Sequence, residues 1–219
     1  MTRISRVVIP ELPHHITQRG NRRQQTFFSD EDYQYYLDLL AEWSHHFEVN
    51  IWAYCLMPNH THIIAVPKFA DGLVKVMEQV HSRYTRYMNF QKGWKGHLWQ
   101  ARYASFPMDG SYLMNCARYV ELNPVRAKLC NSPQDWIWSS ALSHIEAESD
   151  GICDPAPLLE HVDCWLSFLE DGLIDEEINE LQKRENSNRP LGSEDFVKRL
   201  EALTGRELLP KKRGPKPKT

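Results

Sequence analysis

His60-Thr61-His62 is the first group in the 219-residue chain whose residue types and spacing could do chemistry. On a β-strand, side chains two apart project from the same face, so both imidazoles can reach one ion. On a helix the same spacing would turn them about 200° apart. Two neutral imidazoles suit Mn²⁺, Zn²⁺, Co²⁺ or Ni²⁺, and accept Mg²⁺ where substrate oxygens complete the shell. A third ligand must come from elsewhere, and two hydrogen-bonded histidines at a strand end remain the simpler alternative. The second group is RYVELNPVRA, residues 118–127. Tyr119 and Asn123 are four apart and share a helix face. A phenol beside a carboxamide can supply a nucleophile and an oxygen ligand to one metal-bound phosphate. A free phenol titrates near pH ~10, so attack at neutral pH requires a nearby cation. The alternative is a core tyrosine, with Asn123 capping the helix that Pro124 begins.

Those residues need elements to hold them. HHITQR (14–19) reads as a first strand, ending at a Gly20-Asn21 turn. Ser29 followed by Asp30, Glu31 and Asp32 marks a helix start, and the apolar spacing carries that helix to about residue 47. VNIWAYCLM (49–57) is nearly continuously apolar, as a central strand would be. Pro58-Asn59 turns the chain into HTHIIAVP (60–67), closing a hairpin that carries the histidine pair. A second helix follows Asp71, with Leu73, Val76, Met77, Val80, Tyr84 and Tyr87 on one stripe. Gly93 and Gly96 break it before a strand near 98–107, and Asp109 or Ser111 caps a third helix to about 122. The order β-α-β-β-α-β-α predicts an α+β fold, with helices on one face of a mostly antiparallel sheet. Residues 141–184 read as helical, 185–192 as a polar linker and 194–204 as a short amphipathic helix.

Composition sets the class. The chain is 42 % hydrophobic and 25 % charged with mean hydropathy −0.56, which excludes collagen-like, coiled-coil and wholly disordered proteins. Its apolar runs are too short to span a bilayer, and residues 1–20 hold no stretch of signal-peptide length. Five cysteines without a C-x-x-C pair suggest neither a disulfide framework nor a cysteine zinc site. The expectation is a soluble cytoplasmic protein, nucleoid-associated when bound to DNA. A net charge of −3 hides strong segregation. Residues 1–29 hold Arg3, Arg6, Arg19, Arg22 and Arg23 against Glu11 alone; 81–128 hold eight cations against two acids, and 198–219 another eight against two. Between them, 141–182 contains twelve acids and no Lys or Arg. Basic blocks interleaved with Tyr84, Tyr87, Trp94, Trp99 and Tyr103 suit a polyanion with exposed bases; solvated helix faces beside core aromatics suit the same composition.

MPNHTHIIAVP (57–67), GHLWQARYASFPMD (96–109) and YLMNCARYVELNPVRAKLC (112–130) together resemble the IS200-like Y1 transposases. The closer resemblance is to their REP-associated tyrosine transposase branch in bacteria, and RPLGSEDFVKRLEALTGRELLPKKRGPKPK (189–218) extends it. The likeness covers about 10–145 and 189–218 and leaves the acidic stretch unassigned. It implies a ferredoxin-like antiparallel sheet with the histidines on a central strand. Residues 1–140 would be the catalytic domain, 141–185 an acidic helical extension, and 186–219 a linker, short helix and basic DNA-binding tail.

The resemblance also assigns roles. His60-Thr61-His62 would be the HUH motif, with Thr61 departing from the usual bulky apolar middle residue. Tyr119 would be the single nucleophile, and His60, His62 and Asn123 would bind Mg²⁺ or Mn²⁺. The activity implied is nicking and strand transfer of single-stranded DNA at REP-type palindromic hairpins through a 5′-phosphotyrosine, by a monomer or homodimer. Arg19, Arg22, Arg23, Arg83, Arg86 and Arg102 are candidate phosphate contacts, as are Lys211, Lys212 and Arg213 in the tail, where Arg213-Gly214-Pro215 resembles a minor-groove hook. Two other readings stay open: a non-catalytic DNA-binding regulator of the same repeats, and a metal-dependent phosphodiesterase that uses water. Nothing supplies a general-base Glu beside the pair, which disfavours a zinc hydrolase of small substrates.

Overall fold

In the computed structural model, which describes residues 6–185 and 189–209, strand β1 (His14–Arg19) leads into a tight turn at Asn21–Arg23. Helix α1 (Asp30–His46) starts where Ser29 and Asp32 form a reciprocal capping box. Three acids in its first turn favour the positive end of the helix dipole. Strands β2 (Val49–Met57) and β3 (His60–Pro67) form the hairpin, and α2 (Gly72–Lys92) ends at Gly93 in the left-handed region. Strand β4 (Ala104–Pro107), α3 (Gly110–Glu121) and the single turn α4 (Asn123–Arg126) follow. The sheet order is β2-β3-β1-β4, antiparallel throughout, which is the ferredoxin-like arrangement of a βαββαβ unit.

Alternation along the strands builds two cores. Ile16, Tyr54, Leu56, Ile63 and Ala65 face α1 and α2, where Phe27, Tyr36 and Tyr84 pack together. Cys55, Met57, Ile64 and Phe106 face the other side and meet Leu113, Cys116, Ala117 and Val120 of α3. Each large apolar side chain so buried contributes about 1.5–3 kcal/mol. The α+β class and antiparallel sheet are as the sequence leads one to expect, and α1 and α2 share a face. The opposite face is covered too, by α3 and the helices after it. Antiparallel sheets often leave one face in water, but here Cys55, Met57 and Ile64 on that face are apolar and need cover.

Three local expectations change. Strand β2 is an edge strand, not a central one. Its apolar character comes from residues 138–154, which cover that edge: Leu56 N donates to Trp138 O, and Tyr54 N to Ser140 Oγ. The strand expected near 98–107 is regular only over Ala104–Pro107; Trp99 makes an isolated bridge to Gly20. Leu122, not Asn123, precedes α4, and Asn123 is its first residue. Leu122 keeps near-helical angles, so the chain runs from α3 into α4 with little interruption.

The acidic stretch forms α5 (Ala141–Glu146), α6 (Ala156–Leu159), α7 (Trp165–Glu170) and α8 (Asp175–Glu185). Its Leu158, Trp165, Leu169 and Leu181 complete the core beneath α3. Arg118 of α3 donates to Gly172 O at 2.6 Å and stacks on Phe168. Helix α9 (Glu194–Thr204) packs Phe196, Val197 and Leu200 on Val7 and Leu208. Asp109 ties this region to α3 by accepting from Tyr112 N and Ser193 N. Among the described residues no helix is long and apolar enough to cross a membrane. Lys211, Lys212 and Arg213 lie outside the described residues.

Candidate active site

Strand β3 presents His60 and His62 on the sheet face that α3 covers, beside the end of β1, where His60 pairs with Arg19 and His62 with Thr17. Their rings stand 4.9 Å apart, nearly perpendicular. Tyr119, 5 % exposed, sets its ring edge against His62 with centroids 5.5 Å apart. Asn123 follows one helical turn later. The ring contact brings together two groups that stand 59 positions apart in sequence, His60 to Tyr119.

Each histidine is held through Nδ1. His60 Nδ1 lies 2.6 Å from Asn59 Oδ1, and His62 Nδ1 lies 2.9 Å from Nε2 of buried His15 on β1. Burial, then the charge of Arg19, lowers the pKa of His60 to about 4. Burial, then His60, His15, Arg19 and Arg126, drives His62 well below its ordinary value. Both rings are neutral at physiological pH, the state in which imidazole ligates a metal. Among the described residues no group of three or more His, Cys, Asp or Glu is placed to hold an ion, so a metal at the histidine pair would take a third ligand of another kind, such as the carboxamide of Asn123. Asn123 fits: its amide nitrogen is buried without a hydrogen-bond partner. A half-turn of the amide exchanges oxygen for nitrogen and would present the oxygen instead.

Two residues that the sequence left unremarked belong to this site. The Arg126 guanidinium lies 4.9 Å from the centroid of the Tyr119 ring. Its i+7 spacing from Tyr119 places it two turns along the same face, a signal present in RYVELNPVRA. His15 is the other; only the β1–β3 register brings it to His62, and no local spacing reveals that.

The arginine candidates divide. Arg19, Arg22 and Arg23 lie at the strand end beside His60. Gly20 makes this turn possible: an added Cβ would sit 2.3 Å from Gln24 O and 2.8 Å from Thr26 Cγ2. Gly20 N donates to Asn59 O, and Arg22 and Arg23 hold left-handed angles with exposed side chains. Arg86 and Arg102 line a cleft of about 960 Å³ between α2 and residues 97–103, together with Arg6, Trp99 and Tyr103. Arg83 is elsewhere, donating to Gln79 and stacking on Trp43.

Buried neutral histidines make an acid-sensitive fold. Burial lowers His14 to about 4 and His15 and His81 to about 3, alongside His60 at about 4. The unfolded chain takes up these protons near pH ~6.5, whereas the folded chain resists them. Stability is thus full above that pH and falls as pH drops toward 4 and 3. Urea midpoints should fall steeply between about pH 6.5 and 4; a flat profile would contradict neutral burial.

A structure described as a REP-associated tyrosine transposase bound to a REP hairpin is 21 % identical, with a TM-score of 0.53 over 69 % of this chain and 88 % of that one. That likeness is one of fold. A candidate transposase from Deinococcus radiodurans R1 is 18 % identical over 55 % of this chain and 96 % of that one, with a TM-score of 0.38. No curated protein matches. With residues 9–123, more than half its length, matching the family described as IS200-like transposases, the chain belongs to that family.

Proposed function

We propose that this protein cleaves and rejoins single-stranded DNA at REP-type hairpins in the cytoplasm, with Tyr119 as nucleophile and His60, His62 and Asn123 holding Mg²⁺ or Mn²⁺. The observation that carries this reading is the meeting of the Tyr119 ring with the His62 ring at 5.5 Å, on the helix that carries Asn123 one turn later. A divalent ion bound there would withdraw charge from a phosphodiester oxygen and stabilise the transition state.

The protein's own groups do the rest. The Arg126 guanidinium, 4.9 Å from the centre of the Tyr119 ring, would supply positive charge beside the attacking oxygen and the phosphate. The Tyr119 oxygen forms a bond to phosphorus as the bond to the 3′ oxygen breaks, and the phenol's proton ends on that oxygen through solvent. The products are a 5′-phosphotyrosine and a free 3′-OH. One phosphoester replaces another, so the step is reversible without ATP and the 3′-OH can rejoin the strand. Arg19, Arg22 and Arg23 would hold phosphates beside the scissile bond. Arg86 and Arg102 would hold the strand in the cleft through charge.

The test is incubation with hairpin oligonucleotides from the palindromes flanking its gene, with Mg²⁺ or Mn²⁺, followed by denaturing gels. A covalent adduct dependent on His60 and on the ion supports the reading. Cleavage without an adduct would point to a phosphodiesterase that uses water, and binding without cleavage to a regulator.

A second expectation concerns salt. Each phosphate contact on a single strand contributes about 0.7 to the slope of log K against log salt. Arg22→Ala with Arg23→Ala should flatten that slope by about 1.4. An unchanged slope would remove this turn from the DNA site.

A further inference from the structure

We propose that His15 and Asn59 are positioning residues that fix the tautomers of His62 and His60, so that both rings carry their proton on Nδ1 and turn the Nε2 electron pair toward the ion. The inference rests on the metal-binding reading above and adds the residues that prepare the ligands.

Asn59 settles His60. Its amide nitrogen donates to Arg23 O at 3.1 Å, which fixes which end of the amide is oxygen. The oxygen, 2.6 Å from His60 Nδ1, is an acceptor only. Nδ1 must therefore carry the proton, and a neutral ring with one proton then has its electron pair on Nε2. The same amide links His60 to the turn bearing Arg22 and Arg23, whose Gly20 also donates to Asn59 O.

His15 acts on His62 from the neighbouring strand. The two rings are near-parallel, 12° apart with centroids at 5.2 Å, and the Nε2–Nδ1 distance is 2.9 Å. One proton lies between these nitrogens. On His62 Nδ1 it leaves Nε2 of His62 as a ligand; on His15 Nε2 it makes that same atom an N–H, which cannot bind a cation. In this proposal His15 takes the Nδ1–H tautomer, whose bare Nε2 is the acceptor that selects the first arrangement. Complete burial, with Phe106 at 6.2 Å, keeps its ring in place and keeps water from substituting for it. Outer partners of this kind set ligand orientation and typically govern metal affinity by about 10–100-fold.

Two measurements on the full-length protein test this. Long-range ¹H–¹⁵N spectra of histidine-labelled protein, assigned with His60→Ala and His62→Ala, read the tautomers without any metal or DNA. Nδ1–H for both His60 and His62 is expected; Nε2–H at either would overturn the proposal. Mn²⁺ affinity, from the electron paramagnetic resonance of the free ion, should weaken about 10–100-fold in Asn59→Ala and in His15→Phe. Asn59→Asp, which keeps the acceptor, should restore it. Asn59 lies in a half-buried turn, so that pair remains informative if His15→Phe does not fold. Loss of Mn²⁺ binding in His60→Ala with parental affinity in Asn59→Ala and His15→Phe would overturn the positioning role alone. Unchanged binding in His60→Ala would overturn the metal reading and this inference with it.

Discussion

Tyr119→Phe is expected to abolish covalent capture of DNA and to lower cleavage by a factor on the order of 10⁴ to 10⁶, the scale of losing a nucleophile. The substitution removes only the hydroxyl. Its ring can still pack against His62 and beneath Arg126. Folding and hairpin affinity should therefore stay near parental, since the proposed phosphate contacts lie on the Arg19–Arg23 segment and in the Arg86–Arg102 cleft. Gel adduct yield and binding isotherms on the same preparation check both halves. Cleavage that survives at more than a few per cent would assign the chemistry to water.

The largest loss of stability is expected at Glu121, between Tyr119, the proposed nucleophile, and Asn123, the proposed third ligand. Its carboxylate is fully buried and accepts from Ser140 Oγ at 2.6 Å and Trp165 Nε1 at 2.7 Å, and pairs with His144 Nδ1 at 2.7 Å. His144 stacks on Trp165 at 4.3 Å. This network pins the end of α3 to α5 and α7, so the acidic stretch secures the tyrosine helix. Glu121→Ala takes the charge partner from His144 and strands the buried indole N–H of Trp165, leaving Ser140 Oγ only Tyr54 and His144 Nδ1 only Ser140 O, at a cost of about 3–5 kcal/mol. A domain with about 5–15 kcal/mol of total stability loses a large part of it. Urea denaturation reads this directly. Burial opposes protonation of His144, but the charge and hydrogen bond of Glu121 outweigh it and raise its pKa above the ordinary value. A raised folded pKa gives stabilisation that is full below about pH 6.5 and lost as pH rises through the folded value. The gap between parent and Glu121→Ala should therefore narrow from pH 6 to pH 9; a gap that widens would contradict a charged pair.

Local chemistry made much of this legible. Ser29 with three acids fixed a helix start, Pro58-Asn59 a hairpin, and alternating versus helical spacing separated β3 from α2. The two halves of the site were visible because each is a short-range pattern. What stayed hidden depends on partners far along the chain. β2 reads as central because it is apolar, yet its cover comes from residues 138–154 rather than from another strand. The acidic stretch shows its charges in sequence, while Leu158, Trp165 and Leu169 acquire meaning only against α3. His15 lies 47 positions from His62, and strand register alone joins them. Arg83 shares a basic block with Arg86, but helix phase sends it to Trp43 and away from the cleft.

The most direct measurement of the central claim is the site and polarity of the covalent link. A hairpin oligonucleotide labelled separately at each end would be incubated with the protein and Mn²⁺, the adduct digested with protease and nuclease, and the conjugated peptide sequenced by mass spectrometry. The expected result is a nucleotide joined through its 5′ phosphate to Tyr119, with the 5′-labelled fragment released bearing a free 3′-OH. A link at another residue, a 3′-phosphate linkage, or cleavage with no conjugated peptide would contradict it.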